Sequence, residues 1–350
     1  MKKLMLLITL FLVLIVGIAG CDTSGKPRLR FGSYPASTFP TTFLGKDLGT
    51  HSYAYSPFEK NGIVYTCKAG HIDIIHVRIS ADWTKYLAEK SFKHLMKDDT
   101  EFSFAMKVEP SRYFVKLSYP ENWKNLPKDQ KEKIAREVSF VLGPYLIFTA
   151  TNWHEILTWF DFHCLGPLPE FPSAFSWEDS FSNLLGTYVA VQAMKDTKHS
   201  FDKAMTLALD RELEKLGIQP ASVARNASEK MRGKWFTGGV LFFVEMKMRN
   251  FDMGLDDGFV TPTLVPEVSQ CKQREAIPYL APNLDLLSEY GFSMKFEIEP
   301  REWEKGKIFK VVNENRKVKN TKRIVPEIDF PIIVEFMKKD ATRRGYIYDS

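Results

Sequence analysis

The sequence predicts an α+β fold with a central helical core, a β-hairpin before it and antiparallel strands in the C-terminal third. Between about residues 70 and 236, apolar residues recur at the spacing of one helical face. Two shorter runs, Thr100–Val108 and Arg112–Tyr119, alternate apolar and polar residues, as the strands of a β-hairpin do. After Gly238 the pattern becomes strand-like. These three observations favour α+β.

The elements of the helical core follow from apolar spacing and from residues that begin or end helices. A strand is predicted at Ile63–Cys67 and a helix at His71–Met96. A longer predicted helix at Lys128–His163 contains Gly143-Pro144, which should kink or break it. The other predicted helices are Ser176–Met194, Phe201–Leu216 and Pro220–Trp235.

The C-terminal third is expected to be rich in strands. Strands are predicted at Val240–Met248, Phe259–Val265, Phe292–Ile298 and Ile308–Val312, with Phe330–Phe336 as a last strand or a short helix. We expect residues 27–350 to form a single α+β domain. Its helical core would span about 70–236 and its strand-rich part about 238–340.

The first twenty residues have the pattern of a bacterial lipoprotein signal peptide. Lys2 and Lys3 precede an apolar run of 13 residues, which is shorter than the ~20 residues that span a bilayer. Ile18-Ala19-Gly20-Cys21 resembles the lipobox, whose cysteine is lipidated and becomes the new N-terminus. We therefore expect a signal peptide at 1–20, lipidation at Cys21 and a membrane tether at 21–26. An ordinary signal peptide or a membrane anchor is the alternative.

The expected location is the bacterial cell envelope, with the lipid-anchored chain facing the periplasm. Asp22 resembles the signal that retains enteric-type lipoproteins at the inner membrane. Removal of residues 1–20 takes away Lys2 and Lys3, so the net charge falls from +5 to +3. This charge is too small to predict a nucleic-acid partner. The expected partner is the membrane, through Cys21, and a protein or peptidoglycan partner is left unspecified.

Three further cysteines, Cys67, Cys164 and Cys271, are far apart in the sequence. They lack the CxxC spacing of a cysteine metal site. One pair could form a disulfide in an oxidising compartment, but the sequence does not select it. Three free thiols are the alternative.

A His-Glu pair, His154 and Glu155, interrupts an otherwise apolar helix. An unpartnered buried carboxylate is costly, so a cation, a metal or a hydrogen-bond network should lie near Glu155. The pair also resembles HExxH, in which two histidines bind zinc and the glutamate is a general base. Thr158 stands at the second histidine position and is a poor ligand. The pattern predicts His154 as a metal ligand and Glu155 as the catalytic base or a ligand.

An acidic helix start follows at Glu178 and Asp179. In gluzincin metalloproteases, such as the thermolysin group, a later helix carries Glu-x-x-x-Asp and then a small residue. Asp179, Asn183 and Gly186 resemble this pattern, with aspartate in place of the glutamate and asparagine in place of the aspartate. The three residues share one helical face. The resemblance implies zinc, with Asp179 or Glu178 as a ligand and Asn183 hydrogen-bonded to a histidine. Alternatively, the acidic residues only stabilise the helix dipole.

A third group of polar residues contains Asp73, His76 and Arg78. Asp73 and His76 are three positions apart, so one helical face presents a carboxylate and an imidazole. His76 could complete the ligand set that Thr158 leaves short. In a metal-free alternative, Asp73 fixes the tautomer of His76 and Arg78 neutralises a carboxylate.

Three segments resemble an uncharacterised family of bacterial lipoproteins, known only as a domain of unknown function: Gly70–Arg78, Asn152–Glu155 and Ser173–Gly186. The resemblance implies an envelope lipoprotein and supplies no activity. Two functions therefore stay open. One is a membrane-anchored, gluzincin-like metal-dependent hydrolase, and the other is a non-catalytic binding or assembly lipoprotein.

Overall fold

The fold is seen in a computed structural model, which describes residues 25–30, 32–163, 170–240, 243–272, 275–316 and 322–349. The predicted signal peptide, Cys21 and Asp22 lie outside these residues, as does Cys164. Within the described ranges, no helix has both the length and the apolar character that crossing a membrane requires.

Eight α-helices occur in the described residues: α1 (Ile74–Met96), α2 (Lys128–Trp159), α3 (Asp179–Lys195), α4 (Phe201–Lys215), α5 (Ala221–Lys230), α6 (Asp285–Glu289), α7 (Lys305–Asn315) and α8 (Pro326–Arg344). Helix α1 packs against both α2 and α3, and α3 also packs against α4. These four helices form the central helical core.

Eleven strands occur in the same ranges: β1 (Ile63–Thr66), β2 (Gly70–Asp73), β3 (Glu101–Phe104), β4 (Arg112–Ser118), β5 (Phe236–Thr237), β6 (Glu245–Met246), β7 (Met248–Asn250), β8 (Phe259–Val260), β9 (Tyr279–Leu280), β10 (Ser293–Glu299) and β11 (Ile347–Asp349). The largest described sheet has the order β10-β4-β3 and is antiparallel. The other sheets have two strands, and the β7–β11 pair is parallel.

Two large apolar clusters hold the helices in place. One lies between α1, α2 and the three-stranded sheet and contains Trp83, Trp153 and Phe296. The other lies between α1, α3 and α4 and contains Val77, Leu184 and Leu209. Because α1 contributes to both clusters, its position determines where its polar side chains lie.

The predicted fold class is confirmed, including the β-hairpin of β3 and β4 and the helical core. The possible break at Gly143-Pro144 is not found, because α2 continues through Pro144. Gly143 allows a close approach of α1: a Cβ there would lie 2.7 Å from the Thr84 carbonyl oxygen. The strand predicted at Ile308–Val312 is wrong, since this segment belongs to α7. Short apolar runs carry too little periodicity to separate a strand from a buried helix.

The helix predicted from His71 begins later, because Gly70–Asp73 form β2. Asp73 then caps α1, and its Oδ1 accepts a hydrogen bond of 2.7 Å from the Ile75 amide. At the other end of the chain, Phe330–Phe336 lie in helix α8. The carboxylate of Asp73 is therefore held at the start of α1 by local capping.

Of the three cysteines that follow Cys21 in the sequence, Cys67 and Cys271 form a disulfide. Their Cα atoms are 5.2 Å apart, and 204 positions separate them in the sequence. A crosslink that closes so long a loop constrains the unfolded chain strongly. It joins the loop after β1 to the C-terminal third.

Candidate metal site

Two helix starts bring acidic side chains and one imidazole together. His76 lies in the first turn of α1, whereas Glu178 and Asp179 lie at the start of α3. One ligand atom from each of these three residues lies within 4.8 Å of the others. Glu178 and Asp179 are buried, and the His76 side chain is 20% exposed. The histidine therefore faces the accessible side of the group.

Asp73 lies beside His76 at the same helix start. Nδ1 of His76 is 3.3 Å from Oδ2 of Asp73 and 3.3 Å from Oδ1 of Asp179. The buried carboxylate of Asp73 also accepts hydrogen bonds from the amides of Ser33 and Ile75, each 2.7 Å long. These bonds fix the carboxylate beside Nδ1 of His76, which is buried and makes no hydrogen bond among the described residues.

Ser176 holds the two acidic residues of α3. Its amide donates a 2.7 Å hydrogen bond to Oδ2 of Asp179, and its hydroxyl donates a 2.8 Å bond to Oε2 of Glu178. The other oxygen of Glu178, Oε1, is buried and has no hydrogen-bond partner among the described residues. Buried oxygens without partners are rare in native structures. This oxygen is therefore a candidate ligand atom for a cation.

The two helix starts meet because α1 and α3 approach closely. A Cβ at Gly186 would lie 2.3 Å from the Val77 carbonyl oxygen, so only glycine fits there. One turn earlier on α3, Asn183 accepts a 2.8 Å hydrogen bond from the Ser80 hydroxyl. The sequence predicted that Asn183 bonds a histidine. In the structure it bonds Ser80 and so joins α3 to α1.

Carboxyl groups outnumber cationic side chains around the group. Glu155 is buried, accepts a 2.8 Å hydrogen bond from the Phe175 amide and acts electrostatically on Glu178 and Asp179. Arg249 is the buried cation whose charge reaches Asp179, and burial lowers its pKa to about 10. Its guanidinium donates to the Ala174 carbonyl oxygen and also lies over aromatic rings.

The electrostatic consequence is a set of carboxyl groups with raised pKa values. Burial raises the pKa of Asp73, Glu178 and Asp179. Neighbouring carboxylates raise the pKa of Glu178 and Asp179 further. A bound cation would offset this repulsion, and imidazole and carboxylate ligands suit zinc, manganese or ferrous iron.

A family model described as "Protein of unknown function (DUF4056)" matches residues 45–240, more than half of the chain. The chain belongs to this family. The matched residues include His76, Glu178 and Asp179 as well as helices α1 to α5. No curated protein and no solved structure matches the chain.

His154 lies outside the group of three in this DUF4056 chain. Its Nδ1 is 3.0 Å from Oε2 of Glu109, and its Nε2 is 3.9 Å from Oε2 of Glu170. Burial disfavours the charged imidazole, but the hydrogen bond to Glu109 and the charges of Glu109, Glu155 and Glu170 together outweigh it, and the pKa of His154 rises to about 9. His154 therefore contacts carboxylates other than those of the group of three, and its predicted role as a metal ligand stays a prediction. The hydroxyl of Thr158 bonds the Glu155 carbonyl oxygen.

Arg78 belongs to a second buried group, which we name the arginine cluster and which consists of Arg28, Arg30, His51, Glu59, Arg78 and Asp82. Nη2 of Arg78 donates a 2.9 Å hydrogen bond to the Leu48 carbonyl oxygen, and its Nε is 3.7 Å from Oε1 of Glu59. Arg30 pairs with both Glu59 and Asp82. Arg78 therefore neutralises Glu59, not a carboxylate of the candidate site.

Sequence reasoning missed the N-terminal loop that covers His76. A Cβ at Gly32 would lie 2.5 Å from Nε2 of His76. Burial raises the pKa of Tyr34, and the charges of Glu170, Asp179 and Glu155 act in the same direction. The hydroxyl of Tyr34 thus lies close to the acidic group. Neither residue belongs to a spaced motif, so no sequence signal marked them.

Proposed function

We propose that this protein is a metal-dependent hydrolase of the bacterial cell envelope, with His76, Glu178 and Asp179 as the ligands of one divalent cation. The convergence of these three ligand atoms within 4.8 Å carries the proposal. Three protein ligands are typical of catalytic zinc sites, in which a water or substrate takes the fourth position.

The charges around the site support a cation. Four buried carboxyl groups lie at or beside it: Asp73, Glu155, Glu178 and Asp179. The unpartnered Oε1 of Glu178 supplies a ligand atom that the protein itself does not use. Since His76 is the partly exposed member, the ion and the substrate would approach from its side.

The chemistry assigned to the site is hydrolysis. A divalent metal lowers the pKa of a bound water to about 7. Glu155, held by the Phe175 amide, is the proposed general base. Nδ1 of His76, which lies 3.3 Å from both Asp73 and Asp179 and makes no hydrogen bond among the described residues, would be the nitrogen that binds the ion.

The first test measures metal binding. The purified protein and its Asp179→Asn variant are analysed for bound metal, and zinc, manganese and ferrous iron are added in thermal-shift assays. We expect about one ion per chain in the wild type and a rise in melting temperature that Asp179→Asn abolishes. Asp196→Asn, a partly exposed residue at the other end of α3, is the matched control. A wild type with neither bound metal nor a thermal shift refutes the site.

The second test separates catalysis from binding. Glu155→Gln should keep the metal but lower hydrolysis of an ester, peptide and phosphoester panel by about 10²–10⁴-fold, the usual contribution of a general base. If wild type and variant bind metal equally and neither hydrolyses a substrate, catalysis is refuted.

A non-catalytic binding or assembly role is the second candidate. The burial of Glu178 and Asp179, which are 1% and 3% exposed, favours it because an ion held so deeply can be structural. Removal of the metal with a chelator distinguishes the two. A structural ion predicts cooperative unfolding, whereas a catalytic ion predicts a folded, inactive protein.

We also propose that the chain is a lipoprotein anchored through Cys21, at the inner membrane and facing the periplasm. The lipobox-like residues and Asp22 support this location. The Cys67–Cys271 disulfide adds support, because such bonds persist in oxidising compartments. The mass of the N-terminal peptide tests it: we expect diacylglycerol on Cys21 and loss of that mass in Cys21→Ala.

A further inference from the structure

The first described residue, Gly25, lies beside a loop with exposed aromatic side chains. The Tyr53 hydroxyl donates a 2.8 Å hydrogen bond to the Gly25 carbonyl oxygen. In the same loop, Tyr55 is 77% exposed and Phe58 is 75% exposed. Two large aromatic side chains therefore face solvent next to the place where the N-terminal segment joins the fold.

Lysines surround the same place. Lys90 and Lys93 are three positions apart on α1, and Lys26 directly follows Gly25; burial and the charges of these two lysines lower the pKa of Lys90. Nζ of Lys85 lies 5.1 Å from the centre of the Tyr53 ring. The acidic residues in contact are Glu89, which pairs with Lys85, and Asp202, which accepts a hydrogen bond from the Tyr53 amide. Positive charge is in excess.

The length of chain before Gly25 limits how far this surface can be from a membrane. Cys21 precedes Gly25 by four residues, and each residue spans at most about 3.8 Å. A lipid on Cys21 would therefore keep Gly25 within about 15 Å of the bilayer surface. This step rests on the proposed lipidation and does not depend on the metal site.

We propose that this surface, formed by Lys26, Tyr55, Phe58, Lys85, Lys90 and Lys93 and named here the membrane face, docks onto an anionic phospholipid bilayer. Aromatic side chains favour the interface between lipid and water, and lysines are attracted by anionic headgroups. The lipid anchor and the membrane face would then hold the domain in one orientation.

This orientation bears on the candidate metal site. The chain runs from Gly25 at the membrane face to Ser33, whose amide bonds Asp73. Gly32, next to it, approaches the imidazole of His76. Only a few residues thus separate the membrane face from the loop beside His76, so docking of the membrane face would fix how the candidate metal site is oriented relative to the bilayer.

Depth-dependent quenching tests the membrane face in the full, lipidated protein. In a Cys164→Ser background, Phe58→Cys is labelled with an environment-sensitive fluorophore, and the protein is reconstituted into vesicles of phosphatidylglycerol and brominated phosphatidylcholine. Phe243→Cys is the matched control, because Phe243 is 78% exposed in another part of the surface. We expect the label at 58 to lose about half of its fluorescence and the label at 243 to lose little.

Charge-reversal variants provide a second test of the membrane face. Lys90→Glu with Lys93→Glu should reduce the quenching at 58, whereas Lys234→Glu with Lys310→Glu, both at exposed positions, should not. Equal quenching at 58 and 243, or deeper burial of 243, overturns the membrane face. A label at 58 that is shielded but insensitive to brominated lipid indicates a protein partner and also overturns it.

The anchor is checked in the same samples. If the N-terminal peptide lacks diacylglycerol, the lipidation and the membrane face both fail. If the lipid is present and quenching is equal at both positions, only the membrane face fails. The metal content of the protein, which is measured separately, tests the candidate metal site independently of both results.

Discussion

Helix α1 contributes to two buried groups of charge that differ in their balance. At its start, Asp73 and His76 meet the carboxyl groups of Glu178 and Asp179. Slightly further along, Arg78 and Asp82 meet partners from the N-terminal segment. The candidate metal site has more carboxylates than cations. In the arginine cluster, two carboxylates face three guanidinium groups and His51.

The pKa values of the carboxyl groups move in opposite directions in the two groups. Burial opposes ionisation of Glu59, but the guanidinium groups of Arg30, Arg78 and Arg28 outweigh it and lower its pKa to about 2. Burial and neighbouring carboxylates raise the pKa of Glu178 and Asp179. In the arginine cluster the cations outnumber the carboxylates and stabilise their ionised form, whereas at the candidate site the carboxylates outnumber the cations and oppose one another's ionisation.

The largest expected effect is on metal affinity. Glu178→Gln should weaken binding on the order of 100-fold or more, because it removes a ligand oxygen, and Glu59→Gln should leave affinity unchanged. Isothermal titration of the purified proteins with zinc and manganese measures both. Equal losses of metal affinity in the two variants would mean that both substitutions act through the fold and that Glu178 is not a ligand.

The second prediction concerns the free energy of unfolding, which should fall in Glu59→Gln and not in Glu178→Gln. Glu59→Gln should lower the free energy of unfolding by about 3–5 kcal/mol, since it leaves buried guanidinium groups without their partner. Glu178→Gln in the metal-free protein should not lower it, because the change removes repulsion between carboxylates. Denaturant unfolding in the presence of a chelator measures the difference. A strongly destabilised Glu178→Gln protein would contradict the excess of carboxylates over cations that we assign to the candidate metal site.

Acid should act on the arginine cluster through Glu59. Its folded-state pKa of about 2 lies below the ordinary value of 4.5, so its contribution is fully present above pH 4.5 and is lost as the pH falls towards 2. The contribution is about 3 kcal/mol, at 1.36 kcal/mol for each pKa unit. The difference in unfolding free energy between wild type and Glu59→Gln, followed by denaturant titration from pH 6 to 3, should shrink with acid. A constant difference would refute the role of ionised Glu59.

The smallest expected effect concerns the loop over His76. Gly32→Ala should displace the imidazole, because the added Cβ would lie 2.5 Å from Nε2. We expect about tenfold weaker metal binding with little change in unfolding free energy. Gly239→Ala is the control, as a Cβ there meets nothing within 4 Å. Unchanged affinity in Gly32→Ala would place the ion away from this side of His76.

Local patterns were sufficient for much of the fold and for part of the candidate site. The helical core and the β3–β4 hairpin agree with apolar spacing, and Asp73 and His76, three positions apart, lie side by side at the start of α1. The sequence also singled out Glu178 and Asp179, which the structure brings to His76. Their roles as metal ligands stay a prediction.

Long-range partners were beyond local patterns. His154 bonds Glu109, which lies 45 positions earlier in the chain. Arg78 contacts Glu59 through a loop without periodicity. The run Ile308–Val312 is too short to show which period it follows. For His154 and Arg78 the deciding partner comes from another segment of the chain.

By itself, the sequence determined the α+β class, the periodic helices, the lipobox-like N-terminus and the polar residues that interrupt apolar helices. Only the tertiary structure decided which of these polar residues meet, which cysteines pair and which buried charges are neutralised. The reason is that spacing along a helix specifies a face, whereas a site needs the faces of two helices to meet. Here Gly186 lets α3 approach α1 closely enough to bring His76, Glu178 and Asp179 together.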